Sequence, residues 1–208
     1  MKKKILIIGA GGHAKSCIEV ISRLSNFTVA GLVGFPQEVG KNITGVEVIG
    51  SDKDLENLSK KYEFAVIGLG WMGDEIKRAR LAEKLKSFNF KIPKIISPTA
   101  TISEFSKIGA GSFIFNNVYV NTETKISKNC IINSNSLIEH DVLIGSNCHL
   151  STGVIINGEV SIGKNTFIGS GSIIRNKVNI GSNSFVGMGE IVTSDLPINS
   201  RFIGGKLI

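Results

Sequence analysis

The chain has 208 residues, a formal net charge of +7 at pH 7 and an aromatic content of 7%, a length that suits one large domain or two small ones. The basic residues are dispersed and no recognition helix or stacking platform is evident, which argues against nucleic acid and favours an anionic cofactor or nucleotide-linked substrate. No apolar run approaches the roughly 20 residues of a membrane span. The apolar run after Lys2-Lys3-Lys4 is short and glycines follow it, so it predicts a buried strand rather than a signal peptide, and a cytoplasmic protein.

The chain opens with a predicted strand over 4–8, a glycine turn over 9–13 and a predicted helix over 14–24. A strand that runs through glycines into a helix N-terminus is a ready site for an anion or phosphate. The match to the dinucleotide fingerprint is incomplete, because Gly9 and Gly11 fit its first two glycines but Ala14 stands where the third would fall. We therefore predict an α/β unit with a polar ligand at the strand end; tight turns without a ligand remain the alternative.

Further elements complete a small parallel sheet in the first 96 residues. We predict strands over 28–33, 64–68 and 92–95, and the second of these ends in Gly68-Leu69-Gly70. We also predict helices over 51–60, with Ser51 or Asp52 as N-cap, and over 74–88, with Ile76, Leu81 and Leu85 on one face. The composition changes at Ser97-Pro98, so we predict a Rossmann-like domain over 1–96 and a second domain over 97–208.

The second domain is dominated by a repeat of six residues. Every sixth residue is aliphatic, and four residues later a small or β-branched residue usually follows. Gly, Asn or Ser usually fills the position after the aliphatic residue, which predicts a turn with positive φ there. Because no six-residue unit can bury its own face, the units are expected to stack as a solenoid. The aliphatic positions are Ile102, Ile108, Ile114, Val120, Ile126, Ile132, Ile138, Ile144, Leu150, Ile156, Ile162, Ile168, Ile174, Ile180, Val186, Val192 and Ile198.

This pattern resembles the hexapeptide repeat of left-handed parallel β-helix proteins. The resemblance implies triangular coils of three hexapeptides, a left-handed exception to the usual crossover rule, in which residues eighteen apart stack. An ordinary β-sandwich is the alternative. Cys130 and Cys148 would stack in adjacent coils, and we expect packed thiols rather than a disulfide.

Three histidines are the candidates for chemistry: His13 in the glycine turn, and His140 and His149 in the repeat. His140 is flanked by carboxylates, of which Asp141 is the first candidate partner and Glu139 the second; such a partner makes an imidazole a better general base. Gly158 would lie one coil beyond His140, where a glycine clears room and exposes a backbone N–H that could stabilise an oxyanion. His149 lies half a coil away, so two protomers side by side are needed to bring both imidazoles together. The alternative is that both are surface histidines.

A zinc site like that of the gamma-class carbonic anhydrases is a rival interpretation. Only two histidines lie in the repeat, one fewer than the three that hold zinc in those enzymes, so we expect no metal.

Three stretches together resemble the sialic acid O-acetyltransferase family, whose relatives include UDP-4-amino-sugar N-acetyltransferases of bacterial glycan synthesis. They are the glycine turn Gly9-Ala10-Gly11-Gly12-His13, the junction Ser97-Pro98-Thr99-Ala100, and 133–158 with Ile138-Glu139-His140-Asp141. The resemblance implies a homotrimer that binds acetyl-CoA between adjacent prisms and holds the sugar partly in its N-terminal domain.

The family also implies roles for single residues. His140 would be the general base, Asp141 would raise its basicity, and Asn133 would lie near the site. The implied acetyl-CoA contacts are His149, Gly158, Ser170 and Met188, of which Ser170 and Met188 differ in residue type from the family pattern. The implied substrate contacts are Gly11, Gly12, His13 and Gly70.

One departure concerns the acceptor. Nucleotide-sugar members carry an acidic pair after the second strand, where this chain reads Val33-Gly34-Phe35-Pro36; this weakens the case for UDP and leaves a free sialic-acid-like sugar or another nucleotide sugar. No nucleophile stands next to His140, which favours direct transfer through a tetrahedral intermediate without an acyl-enzyme. We therefore predict acetyl-CoA-dependent N- or O-acetylation of a sugar in bacterial surface glycan biosynthesis. A non-catalytic β-helix scaffold with a nucleotide-sugar-sensing domain is the alternative, and the acyl chain length stays open.

Overall fold

A computed structural model describes residues 1–70 and 75–208. The N-terminal part is a sheet in the order β3-β4-β2-β1-β5, parallel except for the antiparallel pair β3 and β4. Its order changes direction at β1, so the ends of β1 and β5 flank a crevice of the kind that binds ligands in open α/β sheets. The strands are β1 (Lys3–Ile8), β2 (Phe27–Gly34), β3 (Asn42–Ile43), β4 (Val46–Ser51) and β5 (Phe64–Ile67).

Helices cover this sheet close to where the sequence predicts them. They are α1 (Gly12–Ser22), α2 (Leu55–Ser59) and α3 (Glu75–Ser87), with a 3₁₀ turn at Pro36–Glu38. The predicted start of α2 is wrong, because Ser51 ends β4 and both its N–H and its hydroxyl donate to the Asp54 carboxylate. The hairpin of β3 and β4 was not predicted at all. Asp74 and the side chain of Ile76, both part of the predicted third helix, lie outside the described residues.

The repeat forms a three-sided prism, whose strands β6 to β22 are each two residues long. Partners are eighteen residues apart, as Leu137 with Ile155 shows. The first face contains β6, β9, β12, β15, β18 and β21, the second β7, β10, β13, β16, β19 and β22, and the third β8, β11, β14, β17 and β20. The strands are Ile95–Ile96, Thr101–Ile102, Lys107–Ile108, Phe113–Ile114, Tyr119–Val120, Lys125–Ile126, Ile131–Ile132, Leu137–Ile138, Leu143–Ile144, His149–Leu150, Ile155–Ile156, Ser161–Ile162, Phe167–Ile168, Ile173–Ile174, Asn179–Ile180, Phe185–Val186 and Ile191–Val192.

The strand predicted over 92–95 differs from the structure in both place and partner. The observed strand β6 covers Ile95–Ile96 and pairs with β9 of the prism rather than with the N-terminal sheet. The N-terminal domain packs against this first face: Ile5, Ile7 and Ala14 share one buried cluster with Phe113 and Ile131. The glycine turns are therefore held against the prism.

The prism interior follows the predicted columns. The aliphatic column is buried from Ile114 to Val192, and so are the small residues of the second column. Cys130 and Cys148 are free thiols whose Sγ atoms each lie 3.1 Å from a backbone oxygen, of Gly145 and Gly163 respectively. The prediction of packed thiols is confirmed.

The predicted position of positive φ within each unit is wrong by two residues. Positive φ occurs three residues after the aliphatic residue, as at Asn135 and Asp141, where the N–H donates to a carbonyl of the preceding coil. The glycine directly after the aliphatic serves another purpose: a Cβ on Gly145 would lie 2.5 Å from the backbone N of Lys164. That glycine therefore lets consecutive coils approach closely.

The three edges of the prism differ in their turn residues. The first edge, between the first and second faces, contains 115–118 and its equivalents every eighteen residues; the second edge contains 121–124 and the third 127–130 in the same way. Asparagine side chains form a hydrogen-bonded ladder along the third edge, from Asn129 to Asn199. On the second edge the same turn position carries the charged residues Glu123, Asp141, Glu159 and Lys177.

The last coil is closed by an antiparallel hairpin of β23 (Arg201–Ile203) and β24 (Lys206–Leu207). The carboxylate of Glu190 accepts the N–H groups of Gly204 at 2.6 Å and Gly205 at 2.9 Å. Glu190 is an exception in the small-residue column, and these two hydrogen bonds anchor the turn of the hairpin. None of the described helices is long and apolar enough to cross a bilayer.

Inward and outward residues of one strand give a direct test of the prism. Ile144 is 1% exposed and its neighbour Leu143 is 46% exposed. We expect Ile144→Ala to lower the free energy of unfolding by about 2–5 kcal/mol, because it leaves a cavity, and Leu143→Ala to lower it by less than about 1 kcal/mol. Urea unfolding at one fixed protein concentration measures both, and equal losses would contradict the assigned faces.

Candidate active site

The second edge of the prism brings His140 and Asp141 together. The Nδ1 of His140 lies 2.9 Å from Oδ2 of Asp141, and both side chains are about half exposed. Neighbours on a strand point to opposite sides, but Asp141 has a φ of 57°, so the turn bends its carboxylate back to the imidazole. Glu139, the second candidate partner, instead accepts a hydrogen bond from the side chain of Asn121 at 2.8 Å.

The Asp141 contact sets the electrostatics of this imidazole. The hydrogen bond to Asp141 raises the pKa of His140, and the negative charges of Asp141, Glu139 and Glu159 add to the effect against partial desolvation. In the neutral ring the carboxylate favours the proton on Nδ1, which leaves Nε2 with a free lone pair. Nε2 can therefore accept a proton from a ligand.

Gly158 makes room for the imidazole ring of His140. A Cβ at position 158 would lie 2.6 Å from Nε2 and 2.7 Å from Cε1 of His140. Any side chain there would displace the imidazole, since real Cβ contacts do not reach such distances. The predicted neighbourhood of Gly158 and His140 is thus present in the structure.

The predicted substrate turns meet at the carboxyl edge of the N-terminal sheet. Gly11 and Gly12 are exposed at the start of α1, which has no side-chain cap, and a Cβ on either would meet nothing within 4 Å. A Cβ on Gly70 would lie 3.7 Å from the Cβ of His13. The turns after β1 and β5 therefore adjoin each other and open to solvent.

His13 continues this cluster to the prism. Its ring centroid lies 5.3 Å from that of Phe115 and 6.3 Å from that of His149. Burial, assisted by the charge of Arg78, lowers the pKa of His13 to about 4. Among the described residues, the buried Nε2 of His13 has no hydrogen-bond partner.

His149 lies on the first face, in the same interface between domains. It is 9% exposed and its ring meets that of Phe167 edge to face at 5.2 Å. Burial lowers its pKa to about 3, and the nearby His13 and Arg78 act in the same direction. Both His13 and His149 are therefore neutral near pH 7, when His140 is the histidine that can titrate.

Arg78 was missed by the sequence analysis. It is buried, and its Nη1 donates to the carbonyl oxygens of Ile67 at 3.2 Å and Leu69 at 2.5 Å, which fixes the backbone of the turn after β5. Burial lowers its pKa to about 10, so it stays charged near pH 7. Arg78 is spaced four and seven residues from Ala82 and Leu85, so it lies on the apolar face of α3. A charged residue on an apolar helix face is the sequence feature that could have identified it.

The remaining predicted residues lie along the first edge. Asn133 Oδ1 accepts the N–H of Ser134 at 2.9 Å, Ser170 Oγ lies 2.8 Å from Ser151 Oγ, and Met188 is 82% exposed. His140 lies on the second edge, across the second face. Within one chain the structure therefore does not bring these residues together with His140.

The main surface depression of the prism lies away from His140. An open depression of about 930 Å³ lies on the third face, lined in part by Leu143, Ser161 and Pro197, and His140 is not among its lining residues. Lys125 and Asp195 also line this depression, but no histidine does, so we place the site by the geometry of the His140 imidazole. Residues 1–70 and 75–208 contain no group of three His, Cys, Asp or Glu side chains arranged to hold a metal ion.

The sequence matches three known protein families. Residues 4–85 match the PglD N-terminal domain. Residues 123–158 match the bacterial transferase hexapeptide (six repeats), and residues 159–194 match the hexapeptide repeat of succinyl-transferase. Comparison with curated proteins found no match.

Solved structures resemble the whole chain. PerB from Caulobacter crescentus, in complex with CoA and GDP-perosamine, is 30% identical with a TM-score of 0.90, over 99% of this chain and 97% of that one. The acetyltransferase domain of PglB from Neisseria gonorrhoeae, also solved with acetyl coenzyme A, is 26% identical with a TM-score of 0.89, over 100% of both chains. WeeI from Acinetobacter baumannii shares the fold at 23% identity, with a TM-score of 0.84 over 100% of this chain and 99% of that one.

These matches extend over both parts of the chain and confirm the predicted fold, an α/β domain followed by a left-handed parallel β-helix. The chain therefore belongs to the hexapeptide-repeat sugar acetyltransferases, the family of the sialic acid O-acetyltransferases and UDP-4-amino-sugar N-acetyltransferases, and is an acyltransferase.

Proposed function

We propose that this protein transfers the acetyl group of acetyl-CoA to an amino group of a nucleotide-linked sugar in bacterial surface glycan biosynthesis, with His140 as general base. The observation that carries the proposal is the His140–Asp141 pair, with the imidazole packed against Gly158 of the next coil. It is supported by the similarity to PerB, a perosamine N-acetyltransferase solved with CoA and GDP-perosamine. Acetylation of a hydroxyl, or of a free sialic-acid-like sugar, is the second candidate, since the same base serves either acceptor.

The chemistry follows from the position of Nε2. As the acceptor nitrogen bonds to the acetyl carbonyl carbon, Nε2 of His140 takes a proton from that nitrogen, and Asp141 stabilises the resulting imidazolium. The carbon–sulfur bond then breaks and the same proton passes to the departing sulfur. All three cysteines are buried away from this edge, which supports direct transfer rather than an acyl-enzyme.

The two separated edges suggest how the site is completed. One copy offers the N-terminal glycine turns, His149 and the first-edge residues Asn133, Ser170 and Met188. A neighbouring copy offers His140 on its second edge. In a threefold ring each copy presents different surfaces to its two neighbours, so the edges of adjacent copies can face each other across one groove.

The second face supports this assembly as a homotrimer. Its outward residues form an apolar column, and the residues at the two ends of this column are exposed, Tyr119 by 39% and Ile191 by 63%. An apolar stripe of this kind marks a protein interface. The column consists of Tyr119, Leu137, Ile155, Ile173 and Ile191.

In this arrangement residues 1–96 would hold the nucleotide sugar through Gly11, Gly12, His13 and Gly70, and residues 97–208 would carry out the transfer. His149, Gly158, Ser170 and Met188 would contact acetyl-CoA, with His149, Ser170 and Met188 from the first face and first edge of one copy and Gly158 from the second edge of its neighbour. The alternative of a non-catalytic scaffold loses its basis, since the family is one of acetyltransferases.

Removal of the imidazole tests the general base. We expect His140→Ala to lower kcat by about 10²–10⁴-fold with little change in the Kd for acetyl-CoA. Thiol release with GDP-, UDP- and CMP-linked amino sugars, alongside free sialic acids, measures transfer, and calorimetry measures acetyl-CoA binding. Lys164→Ala, at an exposed residue of the third edge, is the control. A kcat for His140→Ala within tenfold of wild type contradicts the assignment.

The pH dependence tests the role of Asp141. His140 must be neutral to accept a proton, so activity is expected to fall as the pH drops below its raised pKa. Asp141→Asn removes the largest cause of that shift, and the acidic limb of kcat/KM is then expected to move to lower pH. Glu139→Gln is the matched control, because it acts through charge alone and shifts the limb less. An acidic limb that stays in place in Asp141→Asn would exclude this pair as its origin.

A charge on the second face tests the trimer. We expect Ile173→Asp to give monomers and to abolish activity, because the substitution buries a carboxylate in the proposed contact. Ser161→Asp, on the third face, is the control and should remain trimeric. Sedimentation velocity reads both. Wild-type sedimentation of Ile173→Asp would place the contact on another surface.

A further inference from the structure

A carboxylate lies at the end of β2, although the sequence places none directly after that strand. Gly34 is the last residue of β2, and a Cβ on it would lie 2.7 Å from Oε2 of Glu38 and 3.1 Å from the Cβ of Ala10. The Glu38 carboxylate thus occupies the volume that a side chain at position 34 would fill. The acidic pair of the nucleotide-sugar members is missing from the sequence at Val33-Gly34, but the Glu38 carboxylate lies at that place in the structure.

The loop holds this carboxylate in a defined orientation. Oε2 of Glu38 accepts the backbone N–H of Phe35 at 2.8 Å, across the 3₁₀ turn Pro36–Glu38. Among the described residues no other donor reaches this carboxylate, so its second oxygen is left for a ligand. Phe35, whose backbone N–H contacts this carboxylate, is 65% exposed and offers a large apolar side chain at the strand end.

The position relative to the glycine turn indicates what kind of ligand fits. β2 and β1 are parallel neighbours, with Val33 beside Ile8, so Glu38 lies next to Ala10, one residue before the open backbone of Gly11 and Gly12. In open α/β sheets the phosphates of a nucleotide lie at the turn after the first strand and a carboxylate at the end of the second strand accepts from its ribose. An exposed aromatic ring adds a stacking surface for a base.

We propose that Glu38 and Phe35 bind the nucleoside of the acceptor and determine which nucleotide sugar this protein uses. The inference rests on the proposed function, in which the acceptor is nucleotide-linked. An ionised carboxylate only accepts hydrogen bonds, so Glu38 selects groups that donate: the ribose hydroxyls, or the paired ring N–H and amino group of guanine. Phe35 stacks on the base.

Nucleotide binding without acetyl-CoA tests the site separately from catalysis. Calorimetry with GDP is expected to show at least tenfold weaker binding for Glu38→Gln and severalfold weaker binding for Phe35→Leu. Glu47→Gln, an exposed carboxylate on the neighbouring strand β4, is the matched control and should bind as wild type. A glutamine oxygen can still accept the Phe35 N–H, so the turn is retained; Gly34→Ala, which pushes the carboxylate aside, is the second variant and should weaken binding similarly.

Modified nucleotides identify the donor that Glu38 accepts. If the ribose supplies the donor, wild-type protein is expected to bind 2′-deoxy-GDP as weakly as Glu38→Gln binds GDP. If the base supplies the donor, wild-type protein is expected to show the same weak binding for inosine diphosphate, which lacks the guanine amino group. Wild-type GDP and UDP affinity in both Glu38→Gln and Gly34→Ala would overturn the inference. Acetylation of a free sugar without any nucleotide binding would also overturn the inference, while leaving the assignment as an acetyltransferase intact. Nucleotide binding without acetyl transfer to any acceptor would support the nucleoside site and refute the proposed activity.

Discussion

The structure depends on backbone hydrogen bonds between residues eighteen apart. Each two-residue strand is far too short to be stable alone, and its N–H and C=O groups find partners only in the coil before or after it. This pairing fixes the phase of the whole repeat, because an insertion of one residue would turn the aliphatic column outward. It also places Gly158 against the imidazole of His140, because the two positions are one coil apart.

The same constraint explains why the second edge can carry function. At the turn position with positive φ, the third edge uses asparagines whose side chains bond to one another from coil to coil. Asp141 adopts the same backbone conformation, but its side chain forms a hydrogen bond with the neighbouring imidazole instead. Positive φ is more common for Asn and Asp than for most other non-glycine residues. One turn geometry therefore serves stability on one edge and, in the proposed mechanism, acid–base chemistry on another.

The sequence was sufficient for those features that depend on burial and spacing. The aliphatic columns, the stacked thiols of Cys130 and Cys148 and the pairing of His140 with Gly158 all follow from a period of six. Features set by contacts between distant segments were not predictable in this way. The pairing of β6 with the prism, the buried guanidinium of Arg78 and the arrival of Glu38 beside Gly34 depend on packing between elements that the local pattern does not describe. The positive φ was misplaced because glycine serves either backbone freedom or close approach, and only the stacked coils distinguish the two.

The hairpin that follows the last coil has a consequence for the behaviour of the protein in solution. A parallel solenoid presents a row of unpaired amides and carbonyls at its open end, which could recruit the strand of another molecule. Here the chain folds back on itself as a hairpin, and the buried Glu190 carboxylate accepts hydrogen bonds from the backbone N–H groups of the two glycines in the hairpin turn. Addition of further coils from a second molecule is blocked at that rim, so growth into fibres is disfavoured while side-by-side association remains open.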